Sequence, residues 1–462
     1  MTRVTVAVRL ATELTRAAAR ETEDEDAIHA VERLVLDSAG CALGALDAAP
    51  VAAARAWART IDGAGEVPML GMRESSSVLG ATIANCTLIR QLDMNDCDWA
   101  SDPAHPSDNI GGCLAVACAA GASAVDLIKA ILIAYELQMR STEFTKVSFF
   151  RETGWDHTTF VTLATAAGAG VLLGLDATRL AHALAIAGSY PTIGELPVGQ
   201  ISMMKAVSAG LAASRGVEAA YLASFGVTGP LEIFEGKRGM SKLMLGECDW
   251  ELFAAPVERW RLPRTCLKQY PAAYIIHASI DAALALRREH RFTADMIDTV
   301  EVAGFGWLIE DMVHGMGGRS RYDIDARETA DHSLPYCVAA ALVDGEYTHD
   351  QLANKRWQDP DLRDMLARLT CVHDPHLDSG FPARRPGRVS VRLRDGRSIS
   401  KQVDYPKGDP RNPLNDEDLA QKFRRLSSRA LASKQQDAVI PIALNLRRHP
   451  LSELFDACRT CV

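Results

Sequence analysis

The chain has 462 residues, of which 48% are hydrophobic and 24% charged, the balance of a soluble globular protein with a large core. Its formal charge of −9 argues against a nucleic-acid-binding protein, because such proteins neutralise phosphates with an excess of Lys and Arg. No apolar run approaches the ~20 residues that a membrane span requires, so neither nucleic acid nor a membrane is expected as a partner. At ~150 residues per domain, the length predicts two or three structural units.

The first residues lack the long apolar segment and small-residue cleavage site of a secretory signal, and we interpret them as the start of a helix. The 11 cysteines show no disulfide pattern, which is typical of reduced thiols in a cytoplasmic protein. Cys458 and Cys461 form a CxxC motif, but a zinc or iron–sulfur site would need further cysteines at matching spacing. We therefore expect a cytoplasmic protein without a metal or another cofactor.

Helical periodicity dominates the predicted first domain, residues 1–264. The acidic run at 23–26 suits a helix N-terminus, and apolar residues recur at helical spacing over 28–35. Gly40 and Gly44 lie one turn apart on one face, which predicts the close approach of another helix. Further helices are rich in Ala, Leu, Ile and Gly, are expected to be buried on most sides, and are predicted at 109–140, 158–174, 178–189 and 203–225.

The pattern changes near residue 263. Polar and apolar residues alternate over 298–303 and 388–400, which predicts strands, and Asp395-Gly396 within the second run indicates a hairpin. Asn415 is a predicted N-cap for a later helix. The predicted fold class is mainly α, a large all-helical domain that the C-terminal segment completes and that carries a smaller inserted α+β lid domain. The predicted boundaries are 1–264, 265–405 and 406–462.

A dense polar cluster spans residues 92–112, where an ordinary connection between helices would take about five residues. His105, within this cluster of carboxylates, is a candidate for proton transfer. In a second interpretation the segment is a solvated loop whose Ser107 or Asp108 caps the next helix. A calcium loop is a third, although the spacing differs from an EF-hand. The solvated interpretation is favoured for Asp98, Asp102 and Asp108.

Three basic side chains lie where ligands often bind. His157 precedes an apolar helix, whose N-terminus favours a carboxylate ligand, although an isolated histidine is more often structural. Lys205 enters an apolar helix and either reaches solvent or binds an anion in a cleft. Lys268 lies at the predicted domain junction, a common location for ligand pockets. The alternative interpretation is a solvated lysine on the surface. Motifs for nucleotide binding, the serine-hydrolase elbow and zinc proteases are absent from the sequence, so a metal-free site is expected.

From Asp93-Met94-Asn95-Asp96 to the HPSDN motif at 105–109, the sequence resembles the MmgE/PrpD family of 2-methylcitrate dehydratases. The resemblance implies metal-free and usually homodimeric enzymes with a helical domain and an α+β lid. Further matching motifs lie, in order, at 154–157, 202–205, 229–236 and 330–336.

The resemblance also implies a set of functional residues. Lys205, Lys268 and Asp96 are predicted to bind substrate. Tyr322 is the nearest candidate for the family's lid tyrosine, whereas Tyr336 is assigned to the core. The predicted catalytic residues are Asp93, His105, His157 and Tyr322.

The predicted function is that of a hydro-lyase in propionate metabolism, which dehydrates 2-methylcitrate or a close tricarboxylate such as citrate. His105 and His157 would form the acid/base pair, with Asp93 orienting or charging one of them, and which histidine is the acid stays open. A decarboxylase of the cis-aconitate type or an epimerase would use the same proton abstraction. A non-catalytic helical protein that binds a dicarboxylate is the alternative from another class.

Two departures from the family pattern bear on the reaction. Cys97 stands where related sequences often carry threonine, which removes a hydroxyl group from the site. Ala273 stands where the animal-type decarboxylases carry a histidine, so decarboxylation has less support than dehydration.

Overall fold

A computed structural model of the chain describes residues 4–20, 24–146, 148–195, 198–199, 201–316 and 318–460, except for the side chains of residues 244 and 245. The chain divides into two compact units. The first unit contains Met1–Gly194, Met204–Thr265 and Asn415–Val462, and the second contains Glu195–Met203 and Cys266–Leu414. The prediction of a mainly helical fold is confirmed.

Helices form nearly all of the first unit, and in the second unit helices pack against the strands of a sheet. The helices are α1 (Val6–Ala19), α2 (Glu25–Gly44), α3 (Ala49–Thr60), α4 (Val78–Arg90), α5 (Ile110–Ala120), α6 (Ala124–Ser141), α7 (Phe149–Thr153), α8 (Thr158–Leu172), α9 (Ala177–Ala187), α10 (Met204–Ser224), α11 (Trp250–Phe253), α12 (His277–His290), α13 (Gly306–Met312), α14 (Arg327–Ala330), α15 (Leu334–Asp344), α16 (His349–Ala353), α17 (Pro360–Ala367), α18 (Asp416–Ser427), α19 (Ser433–Ala443) and α20 (Leu451–Cys458). The strands are β1 (Val67–Pro68), β2 (Ser75–Ser76), β3 (Asp98–Trp99), β4 (Pro103–Ala104), β5 (Ile297–Gly304), β6 (Leu369–His373), β7 (Gly387–Leu393) and β8 (Ser398–Val403).

The core of the first unit forms around α8, which packs against α5, α6, α9 and α10. Every residue from Thr158 to Gly170 of this helix is buried, as its composition predicts. The prediction of a helix at 109–140 is wrong in one respect, because this segment forms two helices, α5 and α6. Gly121 ends α5 in the left-handed region at φ 62°, and Ser123 then begins α6 with a capping box that includes Asp126.

The C-terminal segment returns to the first unit through α18, which packs against α2. Asn415 caps α18 as predicted. Gly40 is the contact point on α2, because a Cβ atom there would lie 3.3 Å from Cδ2 of Phe423. The predicted close approach of a helix to this glycine face is therefore confirmed.

The sheet of the second unit has the strand order β6-β5-β7-β8. Strand β5 pairs in parallel with β6 and antiparallel with β7, and β7 pairs antiparallel with β8. The hairpin at Asp395-Gly396 is confirmed, with Gly396 at φ 91°. Strand β6 was not predicted, because it is an edge strand whose residues show little apolar alternation. The action of this unit as a lid stays a prediction.

Within the described chain, no helix alone has the length and apolar character to cross a bilayer, whereas α2 and α3 meet those criteria together as a pair bent by 96°. The CxxC motif of the sequence lies only partly within the described residues. Cys458 is the buried last residue of α20, and Cys461 lies outside the described residues.

Candidate active site

The polar segment between α4 and α5 is a buried connection. Strands β3 and β4 form a short antiparallel pair, and the 3-10 helix Pro106–Asn109 leads into α5. The solvated interpretation of its three aspartates is wrong, since Asp98, Asp102 and Asp108 are 2%, 0% and 0% exposed. The predicted capping of α5 by Ser107 or Asp108 is also wrong, because Asn109 occupies the N-cap position.

These aspartates are buried because the fold supplies each one with donors. Arg264 donates to Asp98 from Nε at 2.9 Å, and Ser148 Oγ donates to Asp102 at 2.6 Å. Nδ2 of Asn95 donates to Asp108 Oδ1 at 3.2 Å. Buried carboxylates are tolerated when protein donors replace water in this way.

His105 lies at the start of the 3-10 helix and is 9% exposed. Its Nδ1 is 2.7 Å from the backbone carbonyl oxygen of Asp96. Because a carbonyl oxygen can only accept, Nδ1 carries the hydrogen, and the lone pair of the neutral imidazole lies on Nε2. This is the tautomer that a general base at Nε2 requires.

The side chain of Asp96 supports the same region. Oδ1 accepts from the backbone N–H of Ser107 at 3.0 Å, and Oδ2 accepts from the hydroxyl of Tyr135 at 2.7 Å. Burial raises the pKa of Asp96 to about 7, although the hydrogen bonds from Ser107 and Tyr135 act in the opposite direction. With both oxygens bonded to protein donors, the contacts favour a supporting role for Asp96 over the predicted contact with substrate.

His157 occupies the N-cap position of α8 and contacts two carboxylates. Its Nε2 is 3.3 Å from Asp108 Oδ2, and its Nδ1 is 3.1 Å from Asp156 Oδ1. Burial disfavours the imidazolium, but the carboxylates of Asp156 and Asp108 outweigh burial and raise the pKa of His157 to about 9. The ring is therefore protonated at neutral pH. The ring centroids of His105 and His157 are 5.2 Å apart, and their planes are inclined at 68°.

The backbone of Asp93 has the left-handed conformation, at φ 53°. Its carboxylate binds two cations. Arg90 donates to Asp93 Oδ1 from Nη1 at 2.6 Å, and Lys205 donates to Asp93 Oδ2 from Nζ at 3.0 Å. The side chain of Lys205 is 8% exposed, so the interpretation that its amine reaches solvent is wrong. The role of Asp93 in orienting or charging a histidine stays a prediction, and the carboxylates that contact His157 are Asp108 and Asp156.

Sequence reasoning gave no role in the site to four residues near these histidines, which are Arg90, Asp108, Tyr135 and Asp156. A signal exists for three of them: Asp156 precedes His157, Asp108 belongs to the HPSDN motif, and Arg90 stands three residues before Asp93 on a helix end. Tyr135 has no such signal, because it lies within the long apolar helix α6.

Two predicted site residues, Lys268 and Tyr322, belong to the second unit. Lys268 is 0% exposed, so its interpretation as a solvated surface lysine is wrong. The hydroxyl of Tyr322 donates to the carbonyl oxygen of Leu369 at 3.1 Å. Tyr336 is fully buried, in agreement with its assignment to the core. The roles assigned to Lys268 and Tyr322 stay predictions.

Two protein-family models match the chain. The model of the MmgE/PrpD N-terminal domain matches residues 9–252, and that of the MmgE/PrpD C-terminal domain matches residues 270–448. The chain belongs to the MmgE/PrpD family. The resemblance inferred from the motifs is thereby confirmed.

Relatives within the MmgE/PrpD family carry two different activities in their names. Cis-aconitate decarboxylase of Mus musculus is 28% identical over 333 residues, which cover 70% of this chain and 66% of that protein, just under two thirds of its length. 2-Methylcitrate dehydratase of Cupriavidus necator is 28% identical over 402 residues, 80% of each chain. 2-Methylcitrate dehydratase of Escherichia coli is 25% identical over 397 residues, again 80% of each chain.

Proposed function

We propose that the chain is a metal-free hydro-lyase that dehydrates 2-methylcitrate or a close tricarboxylate such as citrate. The observation that carries the proposal is the pair of buried imidazoles, 5.2 Å apart, of which His105 binds a backbone carbonyl and His157 binds two carboxylates. His105 has its lone pair on Nε2, and His157 is an imidazolium near neutral pH. Elimination of water needs one base and one acid at neighbouring carbon atoms, which this pair provides.

In the proposed reaction, Nε2 of His105 removes a proton from the carbon next to a carboxylate. The electrons of that C–H bond form the carbon–carbon double bond, and the C–O bond breaks on the adjacent carbon. His157 protonates the departing hydroxide, so the products are an unsaturated tricarboxylate and water. The proton comes from Nε2, whose 3.3 Å contact with Asp108 is the longer of the ring's two contacts, while Asp156 orients the ring through Nδ1.

Lys205 is proposed to bind a substrate carboxylate and to stabilise the negative charge that develops there during proton abstraction. Its amine is buried and fixed by Asp93, which Arg90 holds in turn. Such a preorganised cation stabilises a developing charge without reorganisation, which is the main advantage of a protein site over water. Lys268 is proposed, from the family resemblance, as a second carboxylate ligand.

Decarboxylation is the second candidate, because the mouse decarboxylase is as similar to this chain as the Cupriavidus dehydratase, at 28% identity each. An imidazolium at His157 could equally protonate the carbanion that remains after loss of CO2. Ala273, in place of the histidine of the animal-type decarboxylases, favours dehydration.

The test is incubation of the purified chain with 2-methylcitrate, citrate and cis-aconitate in parallel. Dehydration produces a conjugated double bond, which is followed by its ultraviolet absorbance, and the products are separated by mass spectrometry. We expect loss of water from 2-methylcitrate or citrate without release of CO2. Release of CO2 from cis-aconitate would favour the decarboxylase, and binding of all three without turnover would favour the non-catalytic protein.

A further inference from the structure

Lys422, in the middle of α18, has a side chain that is 1% exposed. Its Nζ donates to Oδ1 of Asp37 on α2 at 2.6 Å and to the backbone carbonyl oxygen of Met94 at 2.7 Å. A lysine is almost never fully buried unless its charge is paired, and Asp37 supplies that pairing. The second bond reaches the backbone between Asp93 and Asp96.

The backbone at this point needs support. Asp93 lies at φ 53°, a conformation that residues with a Cβ atom adopt at a cost in energy. Such conformations persist where the surrounding contacts over-determine them. Arg90 and Lys205 hold the side chain of Asp93, while Lys422 holds the carbonyl group of the next residue, Met94.

We propose that Lys422 is a positioning residue for the active site. Through the carbonyl of Met94 it fixes the backbone from which Asp93 orients the amine of Lys205. The inference rests on the proposed function in one respect, namely that Lys205 binds a substrate carboxylate. It assigns to α18 a role in turnover in addition to its role in packing.

A purely structural role is the competing explanation, because the ion pair between Lys422 and Asp37 also joins α18 to α2. The two roles separate in a pair of variants. Asp37→Asn removes the ion pair but keeps an amine that can donate to Met94. Asp37→Asn with Lys422→Met also lacks the ion pair, and it removes that donor as well.

Melting temperature, kcat and KM are to be measured for wild type and both variants with the substrate found in the turnover assay. We expect Asp37→Asn to melt at a lower temperature and to keep kcat/KM within about threefold of wild type. The double variant should lose a further tenfold or more in kcat/KM, mainly through KM, the scale of one lost hydrogen bond to a charged group. Equal kcat/KM values for the two variants would overturn the proposal.

Hydrogen exchange of the peptide covering residues 90–97 tests positioning without any turnover. We expect faster exchange there in the double variant than in Asp37→Asn, and equal rates would overturn the proposal. Faster exchange in a chain that turns over none of the substrates would support positioning while the proposed function fails. If Asp37→Asn does not fold, a variant that combines Asp37→Leu with Lys422→Met, an apolar pair of similar volume, is used instead. Its hydrogen exchange over residues 90–97 is then compared with that of wild type.

Discussion

At the scale of single residues, His105 and His157 differ in what their ring nitrogens contact. His105 faces a backbone carbonyl, whereas His157 faces two carboxylates, which raise its pKa from about 6.5 to about 9 despite burial. A histidine whose pKa is raised in the folded state stabilises that state fully below its unfolded value of about 6.5. This contribution is lost as the pH rises through about 9.

Substitution of Lys205 by Met tests the proposed carboxylate contact. We expect KM to rise about ten- to more than a hundredfold, because one charge-assisted hydrogen bond is worth ~1.5–3 kcal/mol. Lys434→Met, the same change at an exposed lysine of α19, is the control and should leave KM unaltered. Steady-state kinetics of both variants provide the measurement, and an unchanged KM for Lys205→Met would remove Lys205 from substrate binding.

Tyr135→Phe removes the hydroxyl that donates to Oδ2 of Asp96. Burial raises the pKa of Asp96 to about 7, well above its unfolded value, so ionisation of this carboxyl destabilises the fold as the pH rises toward 7. Loss of the donor should raise the pKa further and extend this destabilisation above pH 7. We expect a loss of about 1–3 kcal/mol in the free energy of unfolding, larger above pH 7 than below it.

Urea denaturation at an acidic and an alkaline pH measures the effect of Tyr135→Phe. Tyr221→Phe, on α10 of the same unit, is the matched control and should change the free energy of unfolding by less than about 0.5 kcal/mol. A deficit for Tyr135→Phe that is the same at both pH values would show that Asp96 does not titrate as described.

At the scale of elements, glycines set the distances between helices. A Cβ atom on Gly216 of α10 would lie 2.5 Å from the carbonyl oxygen of Thr162 on α8. A Cβ atom on Gly210 would lie 2.6 Å from the carbonyl oxygen of Ile83 on α4. Since backbone rather than a mobile side chain occupies both positions, the helices must separate if either glycine is replaced.

Gly216→Ala should therefore lower the free energy of unfolding by about 1–3 kcal/mol, the usual result of overpacking a core, even though alanine is the better helix former. Leu211→Ala, at an exposed position of the same helix, is the comparison and should have an effect within about 0.5 kcal/mol. Thermal and chemical denaturation provide both values. A stabilised Gly216→Ala variant would contradict the described packing of α10 on α8.

The elements themselves were largely predictable, because helical spacing and turn residues are local signals. The hairpin at Asp395-Gly396 and the cap at Asn415 follow from two or three neighbouring residues. The burial of Asp98 did not follow, because its partner Arg264 lies 166 residues away along the chain. A segment rich in carboxylates is therefore interpreted as solvated when such distant donors are not known.

At the scale of the whole molecule, the family and the mainly helical fold were predictable because motifs recur in order along most of the chain. The motifs also gave candidate positions for His105, His157 and Lys205. The protonation state of His157 could not be predicted, because it depends on Asp108 and Asp156 and on the degree of burial. These are properties of the folded first unit, and no local pattern encodes them.

The proposed reaction uses histidines as both acid and base, and it therefore needs no metal ion. Dialysis of the purified chain against a chelator should leave kcat within about twofold of its starting value. The control is the same dialysis without chelator. Loss of turnover that a divalent cation alone restores would contradict the metal-free mechanism.

The central claim is that His157 is the proton donor, and the most direct measurement is kcat for wild type and His157→Gln over the pH range in which that histidine titrates. For wild type, kcat should fall as the pH rises through about 9, because the imidazolium is lost. His157→Gln should fold and lose turnover by about 10²–10⁴-fold, the usual contribution of general acid–base catalysis. Near-normal turnover of a folded His157→Gln would contradict the account.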